Sequence, residues 1–141
     1  MGYSRWIRYE QPTLLEAGMA VIELTEKTFD RTVSGNDIVL VDWWASWCGP
    51  CRAFGPVFDA AAQERDDIVF AKVDTEANPV LSARAGIRSI PTLMAFRENV
   101  LVYSQPGALS AASLETLIDQ VRALDMSEVH RQVESKVAAA S

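Results

Sequence analysis

The segment Val41-Asp-Trp-Trp-Ala-Ser-Trp-Cys-Gly-Pro-Cys-Arg52 decides the fold of this 141-residue chain. It begins inside a nearly continuous apolar run, residues 38–45, which contains one acid, Asp42. Such runs are typical of a central strand in a parallel sheet that is covered on both faces. Pro50 fits the first turn of a helix, where a missing N–H costs nothing. The segment therefore predicts a buried strand, a tight turn and a helix that starts near Cys48.

The reactive groups of this segment are two thiols, Cys48 and Cys51. A spacing of three residues at the start of a helix places them on one face, within disulfide reach. The unpaired N–H groups of the first turn and the helix dipole favour negative charge there, so they stabilise a thiolate. The thiolate is the species that attacks disulfides. We expect Cys48 to be the exposed nucleophile and Cys51, one turn deeper, to be the resolving thiol.

The rest of the chain predicts an α/β fold. Strands are expected at residues 21–24, 68–74, 92–97 and 100–104, with Glu98 and Asn99 turning between the last two. Three further helices are expected: one capped by Thr25 and running to about Val33, a short one capped by Asn78 and closed by Gly86, and one capped by Ser110. The order β-α-β-α-β-α-β-β-α predicts a central mixed sheet flanked by helices on both faces.

Three parts are expected along the chain. Residues 1–19 form an N-terminal arm of mixed aromatic and charged character, either a loose extension or a specific addition. Residues 20–124 form the domain, and residues 125–141 form a C-terminal tail. Valines recur every four residues in that tail, which favours an extra helix, with a frayed and solvated terminus as the alternative.

Composition narrows the classes of function. The chain has 19 acidic and 13 basic residues, a formal charge of -6, which argues against a nucleic-acid binder and against a polybasic membrane contact. Its apolar runs are shorter than the roughly 18 residues that span a bilayer. Residues 1–18 lack the apolar core of an export signal, so a cytoplasmic location is expected.

The cysteine count favours redox chemistry. A single close pair in a cytosolic chain indicates a redox or metal site rather than a structural disulfide. A zinc site needs about four ligands, whereas the chain adds only one histidine, His130, far away in sequence. We therefore expect no bound metal. An inert pair of buried thiols is the remaining alternative.

A family resemblance follows from these motifs. The segment over residues 41–52 resembles the active-site signature of the thioredoxin family, and Gly86-Ile-Arg-Ser-Ile-Pro-Thr92 resembles its second signature. Gly107-Ala-Leu-Ser110 is similar to the stretch before the last helix of that family. The resemblance covers roughly residues 20–124 and implies the thioredoxin fold.

The resemblance also implies an activity, partners and a location. It implies a cytoplasmic, monomeric protein-disulfide reductase that transports electrons and serves cell redox homeostasis. Its redox-active centre would be the Cys48–Cys51 disulfide, with no bound cofactor. Its partners would be an NADPH-dependent thioredoxin reductase and disulfide-containing protein substrates. The chain itself shows no Gly-x-Gly-x-x-Gly nucleotide-binding motif.

Two charged residues receive catalytic roles. Asp42 lies in an apolar strand, where a carboxylate is costly to ionise, so its pKa should rise. The resemblance implies that Asp42 accepts the proton of Cys51, and a purely structural acid is the alternative. Lys72 resembles the family lysine near that acid, although a strand lysine facing solvent fits nearly as well.

The resemblance further implies a substrate-binding surface. Pro91 would follow a cis peptide bond and direct the Ile90 backbone toward an extended substrate strand. A flat, uncharged surface around Cys48 would dock many partners. The residues expected to bind substrate are Trp47, Gly49, Pro50, Ile90, Pro91, Gly107 and Ala108.

Two other functions remain open at this point. One is an oxidant or isomerase of an oxidising compartment, although the Gly-Pro pair between the cysteines resembles the reducing branch of the family. The other is a binding module that uses the fold without turnover.

Overall fold

A computed structural model describes residues 21–140 of the chain. The predicted N-terminal arm, residues 1–19, lies outside this range. The elements, in chain order, are β1 (Ile22–Glu23), α1 (Phe29–Ser34), β2 (Ile38–Trp44), α2 (Gly49–Gln63), β3 (Val69–Asp74), α3 (Pro79–Arg84), β4 (Thr92–Arg97), β5 (Val100–Pro106), α4 (Ala111–Arg122) and α5 (Met126–Ala140).

The strands form one mixed sheet with the order β1-β3-β2-β4-β5. β3 pairs in parallel with both β1 and β2, whereas β4 runs antiparallel to β2 and to β5. The apolar run of the sequence thus forms a central strand, in which Asp42 lies between Lys72 of β3 and Leu93 of β4. The predicted α/β fold is confirmed.

Alternate residues of β2 supply two cores, one on each face of the sheet. Leu40 packs with Phe54 of α2 and with the apolar face of α4. Val41 and Trp43 face the other way, toward α1 and α3. Burying one large apolar side chain is worth about 1.5–3 kcal/mol, so a slip of one residue along β2 would be strongly unfavourable. The register of β2 therefore fixes which side chains meet α2.

The first helix starts later than predicted. α1 begins at Phe29, and the residues from Thr25 to Thr28 form a turn that leads into it. Within this turn the Thr25 hydroxyl accepts from the N–H of Lys27, and its carbonyl accepts from the N–H of Phe29. Thr25 therefore caps the turn rather than the helix itself.

The start of α3 is capped by a distant side chain. Asn78 precedes α3 as predicted, yet its side chain does not cap the helix. Instead the Glu26 carboxylate accepts from the N–H groups of Val80 and Leu81, at 3.1 and 3.3 Å. The Asn78 side-chain oxygen accepts from the Glu26 N–H at 3.2 Å. The loop after β1 is thereby tied to the helix that precedes Pro91.

The C-terminal tail forms α5, which lies along the edge strand β5. The two elements border a groove of about 310 Å³ that Val102 and Val129 help to line. At one end, Nε2 of His130 lies 2.7 Å from a carboxylate oxygen of Glu98 in the β4–β5 turn. The turn itself places both Glu98 (φ 50°) and Asn99 (φ 65°) in the left-handed region, as a two-residue type I′ hairpin requires.

Candidate active site

The two cysteines lie at the start of α2. Cys48 precedes the first helical residue in an extended conformation, and its Sγ accepts from the N–H of Cys51 at 3.2 Å. Pro50 lies in the first turn and has no N–H to leave unpaired. Cys48 and Cys51 are joined in a disulfide, with their Cα atoms 5.2 Å apart. After reduction, the same N–H and the helix dipole would stabilise a Cys48 thiolate.

The expectation that Cys48 is the exposed cysteine is wrong for this disulfide form. Cys48 and Cys51 are each only 4% exposed. Cys48 is covered because its Sγ turns back over the first turn of α2 and lies 3.7 Å from the Ile90 carbonyl oxygen. The two cysteines are therefore equally buried as residues, and they differ in what they face.

Cys48 lines a groove of about 460 Å³ on the surface. Trp47 stands at this groove with 66% of its surface exposed. The peptide bond between Ile90 and Pro91 is cis, as the resemblance implied. The groove is lined by Trp47, Cys48, Gly49, Pro50, Thr75, Ser82, Ile87, Arg88, Ser89 and Ile90. Four of the seven predicted substrate-binding residues thus lie together beside Cys48.

The expected flat, uncharged surface is not what surrounds Cys48. The groove is concave, and the exposed Arg88 adds a positive charge to its lining. Pro91 is buried, and its carbonyl accepts from the Gly107 N–H at 2.8 Å. Gly107 and Ala108 are exposed but do not line the groove. A contact of these two residues with substrate remains a prediction.

Cys51 lines a different space, a cavity of about 160 Å³ beside α2. Asp42 and Lys72, both predicted catalytic residues, lie in its wall. The cavity residues are Val21, Asp42, Trp44, Cys51, Arg52, Gly55, Phe58, Asp59 and Lys72. One carboxylate oxygen of Asp42 is buried without a hydrogen-bond partner among residues 21–140. Asp42 and Cys51 thus share a space large enough to admit water.

The electrostatics of this cavity suit proton transfer near neutral pH. Burial raises the pKa of Asp42 from 3.8 to about 7, the positive charge of Lys72 opposes that rise, and the negative charge of Asp59 adds to it. Lys72 lies on the neighbouring strand, and its Nζ is 5.1 Å from the centre of the Trp44 ring. A carboxyl group with a pKa near the working pH is an effective general acid or base.

Two site residues were missed in the sequence. Asp59 follows Cys51 at a spacing of eight and shares a helix face with it through Gly55, so helical periodicity could have found it. Arg88 lies three residues before Pro91 and lines the Cys48 groove. The available signal was that Arg88 is part of the second signature, residues 86–92.

Within residues 21–140, no three His, Cys, Asp or Glu side chains come close enough together to hold a metal ion. In the same part of the chain, no helix has the length and apolar character needed to cross a membrane.

Comparisons with known proteins agree on one family. The family model described as Thioredoxin matches residues 20–120. A protein of Streptomyces coelicolor named as a thioredoxin 2 is 54% identical over 86% of this chain and 90% of its own. "Thioredoxin C-3" of Corynebacterium nephridii is 46% identical over 70% of this chain and 69% of its own.

Solved structures agree with this result. A mutant thioredoxin from Halobacterium salinarum superposes with a TM-score of 0.71 at 31% identity, covering 77% of this chain and 96% of its own. Thioredoxin f from spinach chloroplast gives a TM-score of 0.69 at 33% identity, covering 74% and 96%.

Proposed function

The chain belongs to the thioredoxin family and is a protein-disulfide reductase of the thioredoxin type, and we propose that Cys48 attacks the substrate and Cys51 resolves it. The observation that carries this assignment is that the two cysteines line two different spaces. Cys48 lines the open groove, where a protein disulfide can approach, whereas Cys51 lines the cavity that holds Asp42.

Two exchange steps follow from this arrangement. First, the Cys48 thiolate attacks one sulfur of the substrate disulfide, and the other substrate sulfur leaves as a thiolate that takes up a proton. Second, the Cys51 thiol gives its proton to the Asp42 carboxylate and attacks the Cys48 sulfur. The substrate's remaining sulfur then leaves, the Cys48–Cys51 disulfide forms, and two electrons have passed to the substrate. Because the pKa of Asp42 is raised to about 7, its carboxylate is basic enough to accept this proton near neutral pH.

We propose that a thioredoxin reductase restores the dithiol with electrons from NADPH, and that the protein works as a cytoplasmic monomer without a bound cofactor. The family supports the reductase and the class of substrate. Lys72 would assist by favouring the ionised form of Asp42, since its positive charge opposes the rise in the Asp42 pKa.

The two cysteines can be tested separately in an NADPH-consumption assay that contains a thioredoxin reductase and insulin. Cys48→Ser should abolish insulin reduction. Cys51→Ser should also stop turnover, but it should accumulate a mixed disulfide with substrate that mass spectrometry detects. If Cys48→Ser retained reduction, Cys48 would not be the nucleophile.

A redox titration separates the reductase from an oxidant or isomerase. After equilibration with glutathione buffers, the Cys48–Cys51 pair should be mostly oxidised where a protein-disulfide isomerase pair is still mostly reduced. A strongly oxidising potential would exclude the reductase role. The third candidate, a binding module, requires that Cys48→Ser keep its biological activity.

A further inference from the structure

The cavity beside Cys51 contains a second carboxylate whose role is not assigned. Asp59 lies two turns along α2 from Cys51, with Gly55 between them on the same face. A Cβ built on Gly55 meets no heavy atom within 4 Å. The wall of the cavity is therefore open between the resolving cysteine and Asp59.

The two acids of this cavity differ in solvation. Asp42 is only 4% exposed, and one of its carboxylate oxygens has no hydrogen-bond partner within the described range. Asp59 is exposed at the rim. The buried acid therefore shares an enclosed space with Cys51, while the carboxylate of Asp59 lies at the rim of that space in contact with solvent.

The charged neighbours of Asp42 come from the two elements beside it. β3 contributes Lys72, and α2 contributes Asp59 together with Cys51. Arg52 of α2 also lines the cavity, but its guanidinium donates to the Ser46 carbonyl. The neighbour on β4 is the apolar Leu93. Among the described residues that line the cavity, Asp59 is the one acid besides Asp42, and its negative charge opposes the effect of Lys72 on Asp42.

We propose that Asp59 is a positioning residue for proton transfer: through the shared cavity its carboxylate opposes the charge of Lys72, and so sets how readily Asp42 accepts the Cys51 proton. This inference rests on the proposed function. The step it controls moves one proton from the Cys51 sulfur to an Asp42 oxygen as the Cys51–Cys48 bond forms and the Cys48–substrate bond breaks. Asp59 itself takes no part in bond making.

The test is a direct titration of Asp42 in the oxidised full-length protein by carboxyl ¹³C NMR. Asp59→Asn should lower the Asp42 midpoint by about half a pH unit, since removing a like charge near a partly solvated site favours ionisation. Asp66→Asn, which removes the same charge from the exposed loop before β3, is the matched control and should leave the midpoint unchanged.

Salt separates charge coupling from a change in structure. At 1 M ionic strength the Debye length falls to about 3 Å, so the difference between the original protein and Asp59→Asn should shrink. A structural disturbance would persist in salt. In the insulin assay, the acid limb of the pH profile should also move to lower pH in Asp59→Asn.

Two results would overturn the inference: an Asp42 midpoint that is the same in Asp59→Asn, or an equal shift in Asp66→Asn. Failure of the proposed function looks different, because the original protein would then not reduce insulin at any pH, whereas the NMR titration would still report on Asp59.

Discussion

Asp42 destabilises the folded protein when it ionises, because its carboxylate lies in the centre of the sheet. Its pKa is about 7 in the folded state and near 3.9 in an unfolded chain. Between these values the folded state holds a proton that the unfolded state has released. Stability therefore falls as the pH rises from about 4 to 7, and it stays at the lower level above that range.

The substitution Asp42→Asn removes this cost. At pH 8 the oxidised variant should be more stable to denaturant than the original protein by roughly 2–4 kcal/mol, and the difference should nearly vanish at pH 4. Urea unfolding at the two pH values measures both. Insulin reduction should fall in the same variant, because Cys51 loses its proton acceptor. A variant that is less stable at pH 8 would show that Asp42 is not held at high cost.

A site residue could be predicted when the residues that determine its environment lie close to it in the sequence. Cys48, Cys51 and Asp42 lie within one segment, and the apolar run around Asp42 was enough to predict its raised pKa. Their partners on other strands and loops depend on topology. Lys72 is 30 residues from Asp42 in sequence and becomes its neighbour only through the parallel β2–β3 pairing. The exposure of Cys48 was misjudged for the same reason, since the Ile90 segment covers it from a distance.

At the scale of elements, the link between Glu26 and α3 makes a testable contribution to stability. Glu26 accepts two backbone N–H groups in the first turn of α3, and its own N–H is bound by Asn78. Removing one cap normally costs about 1 kcal/mol. Glu26→Ala should lower the free energy of unfolding by about that amount, as measured by urea denaturation.

The variant Glu26→Gln is the control for this cap. Glutamine keeps an oxygen that can accept the N–H groups of Val80 and Leu81 but loses the charge, so it should destabilise the protein less than alanine. Equal losses in Glu26→Ala and Glu26→Gln would show that the charge matters and the hydrogen bonds do not.

The elements themselves were more predictable than their ends. Every strand of the sheet was expected from apolar patterning, because that pattern lies within the sequence of the strand. The ends of α1 and α3 were less predictable, since the turn at Thr25 and the cap from Glu26 depend on contacts made after folding. Ser110 was predicted correctly as a cap because its partner, the Ser113 N–H, is local.

At the scale of the whole molecule, the disulfide separates two spaces with different tasks. The groove on the Cys48 side is open, and Ile90 forms part of its lining. The cavity on the Cys51 side is lined by Asp42 and Asp59. β2 and α2 together create this division, because the strand supplies Asp42, and the N-cap residue and first turn of the following helix supply the two sulfurs. Substrate approach and proton transfer can therefore proceed on opposite sides of the cysteine pair.

The helix α5 lies away from both of these spaces. Its pairing with Glu98 is at the far end of β4 from Pro91, and a six-residue strand spans about 20 Å. We therefore expect that loosening α5 leaves catalysis intact. Val129→Asp places a charge against β5, so it should raise the amide exchange of α5 and lower stability by roughly 1–3 kcal/mol.

The matched control for α5 is Ser135→Asp, which adds the same charge to an exposed position of the helix that does not line the groove against β5. It should leave amide exchange and stability almost unchanged. Both variants should reduce insulin at the rate of the original protein, because neither touches the Cys48 groove nor the Asp42 cavity. A lower rate in Val129→Asp alone would mean that the docking of α5 on β5 is communicated along β4 to the Ile90–Pro91 segment.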